Sequence, residues 1–129
     1  MSDLKRIYQS ETKKYLVKVK DPDTGAYIDP TDTSVLLDVI VVVYTKNNNR
    51  EVKRMSITGN EGSQINTQLA QTGETMLVIP LEYNIVKEIT PGQLAVQITL
   101  LWEDTDFDDN TARKSYTADL NPVKQAIVN

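Results

Sequence analysis

Five carboxylates fall within seven residues at Glu103, Asp104, Asp106, Asp108 and Asp109, and no other stretch of this chain packs like charges so densely. Carboxylates at that spacing repel one another unless a cation or a basic partner neutralises them. Asp104-x-Asp106-x-Asp108 has the alternation that opens a calcium loop. The match then ends, because Asp109 stands where the loop needs glycine and Ser115 where it needs a bidentate glutamate. Calcium on Asp104, Asp106 and Asp108 is therefore one reading. A solvated loop, or a patch that meets the lysines of a partner, is the other. Paired carboxylates also serve glycosidases, but none of these acids sits in an apolar pocket legible from sequence, and 129 residues leave little wall for a substrate cleft.

The missing residue types narrow the chemistry further. The chain has no histidine and no cysteine. It thus lacks the commonest general base, the commonest zinc ligand and any thiolate, and a Ser-His-Asp or Cys-His nucleophile is impossible. The expectation is a non-enzymatic protein without a cofactor. Trp102 and six tyrosines raise the alternative of a carbohydrate-binding module, which stacks sugars on exposed rings. Trp102 shares its strand face with Leu94, Val96, Ile98 and Leu100, which predicts a core position. Tyr15 also lies on an apolar face, whereas Tyr8, Tyr27, Tyr44, Tyr83 and Tyr116 lie near strand ends or loops.

The elements that must position these groups are strands. The dominant hydrophobic period is two, with turn signals between runs. Lys14–Lys20 places Tyr15, Val17 and Val19 on one face and, apart from Leu16, lysines on the other. Asp21-Pro22-Asp23-Thr24-Gly25 is a turn, Pro22 setting φ and Gly25 supplying the positive φ. Ala26–Ile28 reads as a short strand ended by Asp29-Pro30. A long strand is predicted from about Ser34 to Thr45, and it is apolar on both faces: Val35, Leu37, Val39, Val41 and Val43 on one, Leu36, Ile40, Val42 and Tyr44 on the other. Asp38 alone interrupts that second face. It is either a hydrogen-bonded acid or the partner of a lysine or arginine from Lys5, Arg6 or Lys13.

Lys46–Asn49 predicts a hairpin loop and Arg50–Ile57 a polar edge strand. Thr58–Gly73 has little pattern, with one helical turn expected near Gln64–Leu69. Thr75–Glu82 is a strand whose Pro80 demands an edge or a bulge. Asn84–Thr90 is a connection or short strand. Thr90-Pro91-Gly92 is a tight turn launching a second long strand, Gln93–Glu103. Asp104–Asn110 is a loop. Thr111–Leu120 is a last strand, ended by Asn121-Pro122 before an apolar tail with a further helical turn. Seven or eight strands at this spacing predict a single antiparallel β-sandwich, immunoglobulin-like or jelly-roll-like. Residues 1–13 form a basic arm, 14–120 the sandwich and 121–129 the tail.

Charge is split along the chain. Residues 1–20 carry six bases against two acids, while the other 109 carry eight against sixteen. A basic arm on an acidic body suits contact between neighbouring copies, or simply keeps both solvated. Nucleic acid is not expected as a partner, because the body is acidic. Membrane is not expected either, since the longest apolar run, Val39–Tyr44, is too short to span a bilayer. Met1–Arg6 leads into no apolar run, so no signal peptide is expected.

The order of turn signals resembles the N-terminal β-sandwich module of phage baseplate upper proteins and related head- or tail-fibre attachment proteins. The likeness rests on Asp21–Gly25, on the threonine-rich Ala26–Ser34, on the apolar Val35–Tyr44 and on Thr90-Pro91-Gly92 launching Gln93–Ile98, and it covers about residues 14–120. It implies a virion protein that docks other protein subunits in a homo- or hetero-oligomeric assembly. It gives no catalytic residue. In that family fibre or receptor-binding sequence follows the module, whereas this chain stops at Asn129, which implies a stand-alone adaptor, decoration or ring protein of head, neck or tail. Expected interface residues are Lys5, Arg6, Tyr8, Lys13, Leu36, Asp38, Ile40, Val42, Tyr44, Val123 and Ile127. The alternatives are the sugar-binding module, an accessory domain of a bacterial surface machine and, for location, the cytoplasm.

Overall fold

The computed structural model describes residues 7–8, 12–82 and 92–124. Among them are nine strand segments and no helix: β1 (Ile7–Tyr8), β2 (Lys13–Lys18), β3 (Asp38–Thr45), β4 (Arg50–Ser56), β5 (Ser63–Gln64), β6 (Asn66–Leu69), β7 (Thr75–Leu81), β8 (Gly92–Glu103) and β9 (Thr111–Lys124). They form a six-stranded sheet ordered β1-β9-β8-β3-β4-β5 and a three-stranded sheet ordered β2-β7-β6. Pairing is antiparallel except between β1 and β9 and between β4 and β5. The chain is an all-β sandwich, as its period-two pattern predicts.

The core lies between the sheets. Val39, Val41 and Val43 of β3 and Leu94, Val96, Ile98 and Leu100 of β8 point inward from the larger sheet. They meet Leu77, Ile79 and Leu81 of β7 and Val19 just after β2. The β8 alternation is legible from Leu94 to Leu100, whose even positions are dry while Gln97 on the other face is exposed, although Ala95 on that face is buried too. Asn49, with φ 53°, closes the β3–β4 hairpin where an asparagine is tolerated in the left-handed region.

Four expectations are corrected. The long apolar strand begins at Asp38, not Ser34. Asp32 instead organises a tight turn: its carboxylate accepts hydrogen bonds from the Ser34 amide and hydroxyl, and its carbonyl accepts from the Val35 and Leu36 amides. That local bonding outcompetes the sheet ladder. Asn66–Leu69, inside the segment expected to hold a helical turn, is a strand, because pairing with Thr75–Val78 supplies bonds that its polar sequence does not advertise. Lys13 is the first residue of β2, paired with Leu81, rather than the end of an arm. Asn121-Pro122 does not end β9, which runs on to Lys124. Pro122 pairs with Gln93 at a register shift, where a missing amide is tolerated, and the Gln93 side chain donates to the Leu94 and Leu120 carbonyls.

Pro80 follows its rule. β6 pairs only with Thr75–Val78, so at Pro80 β7 has β2 on one side alone, and the Pro80 carbonyl accepts from Lys53 Nζ instead. The Pro91 turn and the Asn84–Thr90 connection lie outside the described residues, as do Tyr83 and the tail beyond Lys124.

Gly62 supports the β4–β5 connection with φ 74°, and a Cβ there would collide with the Arg54 carbonyl. Gly25 has φ 75° but open space around it. Gly62→Ala is therefore expected to cost more than Gly25→Ala, about 1–3 kcal/mol for the strained backbone alone plus the collision. Urea unfolding of the two variants measures the difference.

Candidate docking surface

The reverse face of β3 is narrower than its sequence suggests. Leu36 does not lie on it. Released from the strand by the Asp32 turn, it is 5% exposed and belongs to the core cluster. Asp38 is a hydrogen-bonded acid, accepting from the Val39 amide at 2.8 Å, the Thr58 amide at 3.1 Å and the Thr58 hydroxyl at 2.8 Å. It pins the segment after β4 to the start of β3. Ile40 is buried, and Val42 and Tyr44 are half-buried. In register beside them stand Ser56, Arg54 and Glu51 on one flank and Thr99, Gln97 and Ala95 on the other. Arg54 is held by Glu51 through its Nε and Nη2. The apolar ribbon is thus one residue wide between mostly polar borders. Of the other expected interface residues, Lys5, Arg6 and Ile127 lie outside the described residues. Tyr8 and Val123 fall in the paired segments β1 and β9, and Lys13 has its Nζ 5.8 Å from the centre of the Tyr15 ring.

A wider apolar surface lies at one end of the sandwich. The same turn that buries Leu36 turns Val35 outward at 52% exposure and Leu37 at 47%. The Leu37 amide donates to the Leu101 carbonyl, tethering this segment beside the end of β8. Trp102, next along β8, packs only partly on the core. On one side of it is a crevice of about 240 Å³ lined by Pro22, Ile28, Val35, Leu36 and Leu100, with Asp21 and Lys114 also in its wall. On the other is an open trough of about 550 Å³ running between Trp102 and Phe107, edged by Asp104, Asp109 and Arg113. Phe107 is 52% exposed.

The electrostatics of this end are acidic. The β8–β9 loop is closed by the Asp104 amide donating to the Asn110 carbonyl, with Asn110 at φ 57°. Asp104 and Asp109 each cap a turn inside it, accepting from the Asp106 and Thr111 amides. Among the described residues neither they nor Glu103, Asp106 or Asp108 forms an ion pair, and no three such ligand side chains converge to hold a metal. The calcium candidates Asp104, Asp106 and Asp108 are therefore not brought together. Lys114 is committed elsewhere: it pairs with Asp23, which raises its pKa, and its Nζ lies 5.6 Å from the centre of the Trp102 ring. Hydrogen bonds from Ser34 hold the Asp32 carboxyl below its ordinary value. Nearby, Tyr116 accepts from the Lys20 amide, and burial pushes its phenol up.

Sequence reasoning missed Val35, Leu37 and Phe107 as surface residues. For Val35 and Leu37 the available signal was the Asp32-x-Ser34 turn, which detaches the following three residues from the strand. Comparison with protein-family models, with curated proteins and with solved structures returned no match.

Lys114→Ala should leave the sandwich folded, because the Asp23 pair is solvent-exposed and screened. It should also uncover one face of Trp102. Acrylamide quenching of the single tryptophan is expected to rise relative to the unaltered protein, with an unchanged far-ultraviolet spectrum.

Proposed function

We propose that this chain is a non-enzymatic assembly protein that docks another protein subunit through the Trp102–Phe107 end of its sandwich. The observation that carries the reading is that exposed Val35 and exposed Phe107 line the two hollows that flank half-buried Trp102, with exposed Leu37 tethered to β8 at Leu101. Contiguous exposed apolar side chains cost solvation unless a partner covers them, and aromatic anchors within a polar rim are the anatomy of a protein interface. The resemblance in turn chemistry to phage baseplate and fibre-attachment modules supports a virion as the setting, with the chain as an adaptor, decoration or ring component.

A sugar-binding reading draws on the same tryptophan, with Asp104, Asp109 and Arg113 as hydrogen-bonding groups. Protein docking is favoured because the Lys114 ammonium already stands over the Trp102 ring, where a sugar would stack.

A photo-crosslinking amino acid placed at Phe107 is expected to give one discrete protein adduct in cells that make this chain. The same group at Thr67, on the exposed β6, serves as the reference. Equal labelling at both positions, or no adduct from position 107, contradicts the reading. Quenching of Trp102 fluorescence by a glycan would transfer support to the sugar-binding alternative.

A further inference from the structure

The sandwich is electrically polar along its long axis. β9 spans 14 residues, roughly 40 Å, and sets the distance between two ends. At one end lie the β8–β9 loop and the Asp21–Asp32 turns, joined through the crevice that Asp21, Pro22, Ile28 and Trp102 line together. Residues 20–34 and 103–114 hold nine acids (Asp21, Asp23, Asp29, Asp32, Glu103, Asp104, Asp106, Asp108 and Asp109) against Lys20, Arg113 and Lys114. At the other end lie the β3–β4 hairpin and the start of β2. Lys53 ties them together, donating to the Pro80 carbonyl at 3.0 Å, and Pro80 pairs with Lys14. This end carries Lys13, Lys14, Lys46, Arg50 and Lys53 against Glu51, Glu82 and Asp119; Lys46 pairs with Asp119 and Lys53 with Glu82, while Lys14 and Arg50 are exposed and in no ion pair among the described residues.

We infer that the occupant of the Trp102–Phe107 trough is the basic end of a second copy of this chain, so that copies associate head to tail. The inference rests on the docking reading above and names its partner. Two observations select a second copy. Among the described residues the carboxylates edging the trough form no ion pair, and Lys14 and Arg50, likewise in none, stand at the opposite end of the sandwich. A cation over the face of Phe107, between the Asp104 and Asp109 carboxylates, gains from ring and charge at once. Contact between unlike ends is heterologous, so it generates a ring if the rotation closes and a filament if it does not.

Sedimentation of the full chain tests this. Self-association is expected at low ionic strength and should weaken with added salt, because the contact is made by exposed charges. Asp106→Lys with Asp108→Lys, and separately Lys14→Glu with Arg50→Glu, should each weaken it by about tenfold or more. None of these four side chains makes a hydrogen bond or ion pair among the described residues, so the variants should keep their fold. An equimolar mixture of the two variants should recover association, since each retains the end that the other has reversed. A wild-type chain that stays monomeric at high concentration and low salt overturns the inference, as does association indifferent to the acidic-end reversal. A Phe107 adduct to a different protein would then leave the docking reading standing, whereas loss of every adduct would remove both.

Discussion

Everything at the surface of this molecule depends on the dry contact between its two sheets. Val39, Val41, Val43, Leu94, Val96, Ile98 and Leu100 from one layer close on Leu77, Ile79 and Leu81 from the other. Side chains of this size contribute about 1.5–3 kcal/mol each when fully buried, which is what offsets the entropy of ordering the chain. The contact also fixes geometry. β8 cannot slip by one residue without moving Leu94, Val96, Ile98 and Leu100 to the wet face, so the position of Trp102 at its end is determined by the core beneath it.

The apolar end arises where that core runs out. Leu36 is the last side chain from the Asp32 turn to reach the interior, and its neighbours Val35 and Leu37 are left facing water on either side. One turn, held by two Ser34 bonds to Asp32, thus converts a continuous apolar run into one core residue and two surface residues. Asp38 performs the complementary task at the start of β3, where Thr58 satisfies its carboxylate and allows an acid to sit nearly buried within an apolar strand.

Most of the fold was legible because burial wrote it into alternation. β8, β7 and the valines of β3 could be assigned to faces from spacing alone. What escaped was decided by hydrogen bonds that hydrophobicity does not encode. β6 is Asn-Thr-Gln-Leu, exposed at every position, and owes its strand to the neighbouring backbone of β7. Pro122 reads as a terminator, yet a register shift and the Gln93 amide accommodate it. The surface was less legible than the core. The acidic loop was visible as a charge cluster, but its relation to Trp102 and Phe107, and its place at the end opposite Lys14 and Arg50, exist only once the strands are laid side by side.

The Trp102 end, and not the reverse face of β3 or the open edge of β6, is the place we propose for another polypeptide. Amide hydrogen exchange compared between the dilute and the assembled protein tests it directly. Added protection is expected in residues 101–110 and 35–37, with Asn66–Leu69 and Val42–Tyr44 unchanged. Protection gained along Asn66–Leu69 or Val42–Tyr44, with the Trp102–Asn110 segment exchanging as before, would contradict it.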